Sequence, residues 1–304
     1  MEGWLQPSLR FAHYALLLGL FGLTAFRAGW LRPPLTDDDR IVTGFALQVT
    51  AALAPIISSV LTLVGIAAMM GTGVRSLDLA MVREMILETS IGWASLFRVM
   101  LLLMTAAIIV LQPRSNARWW VVAALYGAAL ATLAWEGHAA ASDGTVGAMH
   151  RINDAVHLLA AGLWIGAIGW FLALAVMAHR QGNAHSAMPL IAALHRFQPL
   201  GIALVAIVAI TGTINAQMIF GIDQIPVLIT TPYGQLLAIK LVTFGLMLIC
   251  AARNSMVSKG AVADPKHGAA HGLSVLRHSL VIEAGLALTI IALIALIGLT
   301  SPMG

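Results

Sequence analysis

The side chains best suited to chemistry gather near the centre of the chain. His150, Asp154 and His157 are separated by four and then three residues. On a helix that spacing puts all three on one face. Trp164 carries the same face about two turns further. His138 lies just upstream, joined by a short segment containing Gly, Ala and Ser. His138, His150 and His157 are therefore placed to meet at one corner. Imidazole suits copper, zinc, iron and nickel, and a thioether suits Cu(I). Met149 and Met218 fall at the same level and are candidate soft ligands. Asp154 is a candidate ligand, or a partner that fixes a histidine tautomer. The single cysteine, Cys250, rules out a disulfide within the chain and any multi-cysteine metal site.

Membrane helices must position these groups. The 304 residues are 60% hydrophobic and only 10% charged, with a mean hydropathy of +0.90. Soluble domains are about 45–50% apolar and about 25% charged, so a water-soluble fold is excluded. Fibrous and disordered classes need far more Gly/Pro or charge. Eight apolar runs of spanning length follow one another, at about 9–29, 42–70, 90–111, 118–138, 152–178, 197–220, 233–254 and 277–299. The chain reads as an all-α, polytopic helical bundle forming one transmembrane domain over 1–304. Its first helix is retained rather than cleaved as a signal peptide. Ser76 to Thr89 alternates apolar and charged residues as an amphipathic surface helix does. Lys259 to His271 reads as the longest loop.

Basic residues set the orientation. Arg27, Arg32, Arg40, Arg114, Arg118, Arg180, Arg196, Arg253, Lys259, Lys266 and Arg277 follow odd-numbered spans, whereas Arg10, Arg75, Arg83 and Arg151 lie on the other side. That bias places both termini in the periplasm. The net charge of +4 comes from loop residues and gives no basic stripe for nucleic acid.

Ionisable groups inside a membrane are costly and mark functional sites by default. His13, Glu136, His138, His150, Asp154, His157, Asn215, Met218 and Tyr233 all fall near the periplasmic ends of their spans. Arg98 and Lys240 lie about two turns inward. Glu283, near the opposite end of the last span, is the exception. The plainer alternatives are real. A lone interfacial histidine often only anchors a helix end, most methionines here pack or face lipid, and Arg98 and Lys240 can snorkel or pair with Glu136 and Asp154. Three histidines on two consecutive helices weaken that alternative. Glycines such as Gly162, Gly166, Gly169, Gly201 and Gly212 read as close-packing positions. No phosphate loop, HExxH or nucleophile elbow occurs, so no enzyme is expected.

Several segments together resemble the copper resistance protein D (CopD) family. They are W-E-G-H-A at Trp135 to Ala139, D-A-V-H-L-L-A-A-G-L-W-I-G at Asp154 to Gly166, R-F-Q-P-L-G at Arg196 to Gly201 and T-G-T-I-N-A at Thr211 to Ala216. T-P-Y-G-Q-L-L-A-I-K-L at Thr231 to Leu241 and L-R-H-S-L-V-I-E at Leu276 to Glu283 complete the series. The resemblance covers about 135–300. It implies an eight-helix protein of the bacterial inner membrane, surrounded by lipid, that moves copper from periplasm toward cytoplasm. It also implies a separate periplasmic copper-binding partner of the CopC type.

The residues and the resemblance converge on a copper entry site of His138, His150 and His157, joined by His13 and Asp154. Arg98 and Lys240 are awkward on a path for a cation unless they are paired. An alternative is a b-type haem held by His13 with His157 or His138, with Arg98 and Lys240 neutralising propionates and the protein acting as a redox carrier. A third is a scaffold whose polar groups only pack helices.

Overall fold

The computed structural model describes residues 4–29, 45–112, 115–136, 144–181, 188–221, 224–225, 230–263 and 265–301. Among them, eight helices are long and apolar enough to cross a membrane. The helices are α1 (Leu5–Gly29), α2 (Phe45–Met69), α3 (Leu79–Glu88), α4 (Ser90–Leu111), α5 (Asn116–Ala131), α6 (Gly144–Gln181), α7 (Met188–Ile219), α8 (Pro232–Ala263) and α9 (Pro265–Ile297). A single 3-10 turn, Thr132–Trp135, prolongs α5. All but α3 are spans. The expected surface helix is α3, capped by the Asp78 carboxylate, which accepts from the Ala80 amide at 3.0 Å. The turn into α4 is fixed by Thr89, whose hydroxyl donates to the Met85 carbonyl and accepts from the Gly92 amide.

Helix α1 is central. It packs on α2, α5, α6 and α9, and α6 packs in turn on α7 and α9. Two apolar cores result. One joins α1, α2, α4 and α5 around Leu17, Leu102, Tyr126 and Leu130. The other joins α6 to α9 around Ala175, Ile191, Leu276 and Leu280. Leu241, Val242 and Ile249 on α8 are at least 60% exposed, as lipid-facing residues should be.

The α1–α6 crossing sets the register of the site. A Cβ on Gly22 would overlap the Gly162 carbonyl oxygen and the Gly166 backbone, so only glycine allows this approach. Trp170 Nε1 locks the crossing by donating to the Leu23 carbonyl at 2.9 Å. His13 stands nine residues above Gly22, and His157 five residues above Gly162. The glycine contact therefore holds both histidines at one end of the bundle, here termed the N-terminal face.

The loop expected over Lys259 to His271 is a correction. Helix α8 runs to Ala263 and α9 begins at Pro265. Pro265 stands at the first position of α9, where its missing N–H costs nothing, and Ala261, Ala263, Ala269 and Ala270 favour helix on either side, so the helices continue past the apolar limit that hydropathy detects.

Candidate functional site

Two polar clusters occupy the N-terminal face. The first is built by α4 and the end of α5. Arg98 is 1% exposed. Its Nε donates to Thr132 Oγ1 at 2.9 Å, and its Nη2 forms an ion pair with Glu136 Oε1. Ser95 Oγ donates to the same carboxylate oxygen at 3.2 Å and touches the Thr62 hydroxyl. The expected Arg98–Glu136 pairing is therefore present, and it neutralises the arginine. His13 on α1 is also 1% exposed, and neither of its ring nitrogens has a partner. Arg98 and Arg10 are the charges within its electrostatic reach.

The second cluster is built by α6 and α7. Asn153 Nδ2 donates to the Thr211 carbonyl at 2.9 Å and to Asn215 Oδ1 at 2.7 Å. Asn215 Nδ2 then donates to Asp154 Oδ1 at 2.9 Å. His157 Nδ1 lies 2.9 Å from Thr211 Oγ1. The direction of this last bond follows from the threonine. Its one proton goes to the Ile207 carbonyl at 2.6 Å, so the oxygen must accept from His157 Nδ1–H. That assigns the tautomer and leaves Nε2 with its lone pair, the state in which an imidazole ligates a metal. His150, one turn before Asp154, is 1% exposed with Nδ1 unpartnered. Asp154 lies within its electrostatic reach.

Other expected site residues divide. Lys240 on α8 lies within electrostatic reach of Asp154 and His157 but forms no ion pair with either. Tyr14 reaches both clusters electrostatically, through Glu136 and Arg98 on one side and Asp154 on the other. Met149 is 63% exposed. Successive helical residues turn by about 100°, so Met149 sits off the buried face that carries His150. Met218 is half-buried near the end of α7. Tyr233 packs its ring against Phe220 in a small apolar cluster with Leu293 and Ile297. His138 lies outside the described residues. Among those described, no three His, Cys, Asp or Glu side chains stand close enough to hold a metal ion. His150, Asp154 and His157 form the expected row along α6, while the corner expected of His138, His150 and His157 involves a residue outside the described ones.

Asn153 and Thr211 were not expected in the site. Their signal is a spacing of four on each helix, Asn153 to His157 and Thr211 to Asn215, which lets two polar pairs meet across one helix interface.

Glu283 on α9 is remote from both clusters. It is 2% exposed, and its Oε2 accepts from Asn254 Nδ2 on α8 at 2.8 Å. Both residues line a cavity of about 460 Å³ among α6, α7, α8 and α9.

Comparison with known proteins is consistent along the whole chain. The family model for the copper resistance protein D-like N-terminal domain matches residues 1–148, and that for copper resistance protein D matches residues 191–297. Copper resistance protein D of Pseudomonas syringae pv. tomato is 32% identical, over 99% of this chain and 98% of its own length. Inner membrane protein YebZ of Escherichia coli K12 is 33% identical over 82% of this chain and 83% of its own. The copper transport protein CutJ of Bacillus subtilis is 27% identical over 59% of this chain and 32% of its own. No solved structure matches.

Proposed function

The chain belongs to the copper resistance protein D family, and from that membership we propose that it is an inner-membrane protein of copper homeostasis that moves copper from the periplasm toward the cytoplasm. Copper is the cargo, and no catalytic step is part of the proposal. The observation that carries it is the set of imidazoles at the N-terminal face. His13 and His150 are each 1% exposed and hold ring nitrogens without a protein partner. Buried polar atoms are almost always satisfied, so such orphans call for an ion or water. His157 adds an Nε2 freed by its bond to Thr211.

In this reading copper is met first by His150 and Asp154, and handed one to two turns deeper to His157, with His13 of α1 as the ligand from the other core. A periplasmic copper-binding protein of the CopC type would deliver the ion to this face. Arg98 no longer obstructs a cation, because Glu136 neutralises it. Arg10 and Arg151 act on His13 and His150, and Lys240 is the positive charge that acts on His157, where its repulsion opposes retention of a cation.

The haem alternative has less support. It assigns Arg98 to a propionate, but Arg98 already bonds Glu136 and Thr132. Among the described residues, no histidine lines the cavity of about 460 Å³.

The test is copper flux into proteoliposomes of purified protein, with a copper-sensitive dye inside. The proposal expects flux above that of empty liposomes, lost in His157→Ala. Equal flux in both preparations would overturn transport, and a Soret band with stoichiometric iron would favour haem.

A further inference from the structure

The cavity toward the opposite face carries a chemistry of its own, independent of the copper reading. Its walls are largely apolar and aromatic, including Trp164, Phe171 and Phe197. Its rim includes Ile202 and Met256, which are 62% and 67% exposed and therefore face the lipid. A volume of about 460 Å³ with apolar walls and a few fixed polar groups is the normal form of a small-molecule site. The mouth at Ile202 and Met256 means that the occupant enters from the bilayer.

One polar atom in the wall lacks a partner, and it belongs to the residue that bonds the buried Glu283. Asn254 is 5% exposed, and with its Nδ2 committed to Glu283, its Oδ1 has none. Glu283 is 2% exposed, and its partner is a neutral amide. Among the described residues, no Lys, Arg or His lines the cavity. A buried carboxyl is costly as an anion unless a cation pairs with it, and a buried amide oxygen needs a donor. One group meets both needs: a primary ammonium, with positive charge and three N–H donors. Arg253 does not line the cavity, but it precedes Asn254 on α8 and is exposed at the same level of the helix, outside the wall. A head that is cationic at its tip and anionic behind it matches that order of charges.

We propose that this cavity binds an aminophospholipid, with its ammonium between Glu283 and Asn254, its phosphate toward Arg253, and an acyl chain along the apolar wall. A quaternary choline head keeps the charge but has no N–H to give. The match therefore depends on donors as well as charge.

The test uses the full chain in mild detergent and native mass spectrometry, with lipids of identical acyl chains. Phosphatidylethanolamine, its monomethyl and dimethyl derivatives and phosphatidylcholine remove the donors one by one at constant charge. Charge-assisted hydrogen bonds of the usual strength predict about tenfold preference for the ethanolamine lipid over choline, declining through the series. Glu283→Gln and Asn254→Leu should each flatten the series. Equal retention of all four lipids by the unaltered protein overturns the proposal without any variant. A steep series that survives in a folded Asn254→Leu protein overturns the assigned location.

Discussion

Removing the charge of Glu136 while keeping its shape is the sharpest test of the first polar cluster. In Glu136→Gln, Arg98 remains 1% exposed and keeps Thr132 as a neutral partner. It loses its counter-charge. At contact distance and an effective dielectric of about 20, the lost attraction is roughly 5 kcal/mol. The Glu136 side chain is 24% exposed, so water screens part of this, and about 2–3 kcal/mol is the expected loss of stability. Arg98→Met removes the other charge and leaves Glu136 partly hydrated, at a smaller cost. The double variant should recover much of what Glu136→Gln loses, because no uncompensated charge remains. Reversible unfolding in mixed detergent micelles measures all four corners of this cycle. If Glu136→Gln lies within about 0.5 kcal/mol of the parent, the pair contributes little and the argument from charge fails.

Other consequences follow from the same geometry. Thr211→Val removes the acceptor of His157 Nδ1–H, and a lost tautomer-fixing partner should weaken copper binding about 10–100-fold by competition titration. Lys240→Met removes a positive charge near Asp154 and His157; copper affinity should rise about fivefold, while onward flux slows. Gly22→Ala drives a methyl into the Gly162 and Gly166 backbone, and a cost of about 1–3 kcal/mol should appear as a lower melting temperature in detergent.

The spans were legible because hydropathy depends on composition alone, and eight apolar runs became eight spanning helices. The ends were less so. Helices α8 and α9 continue into residues that are helix-permissive but not apolar, which leaves no hydropathy signal. At the site, the depth of Arg98 and Glu136 along their helices predicted that they could pair. Depth does not give azimuth: Met149 shares a level with His150 yet lies off its buried face. Thr211 was illegible for a different reason. A threonine in an apolar helix usually bonds its own backbone, and this one does so while also accepting from His157. The orphan nitrogens of His13 are invisible in sequence, because they depend on what four neighbouring helices fail to supply.

The central claim is that buried imidazoles at the N-terminal face bind copper. X-ray absorption of the copper-loaded, purified protein at the copper K edge tests it most directly. The account predicts about one copper per chain with imidazole scattering, lost in the His13→Ala/His157→Ala variant. Copper bound through sulfur alone, or a spectrum unchanged in that variant, would contradict it.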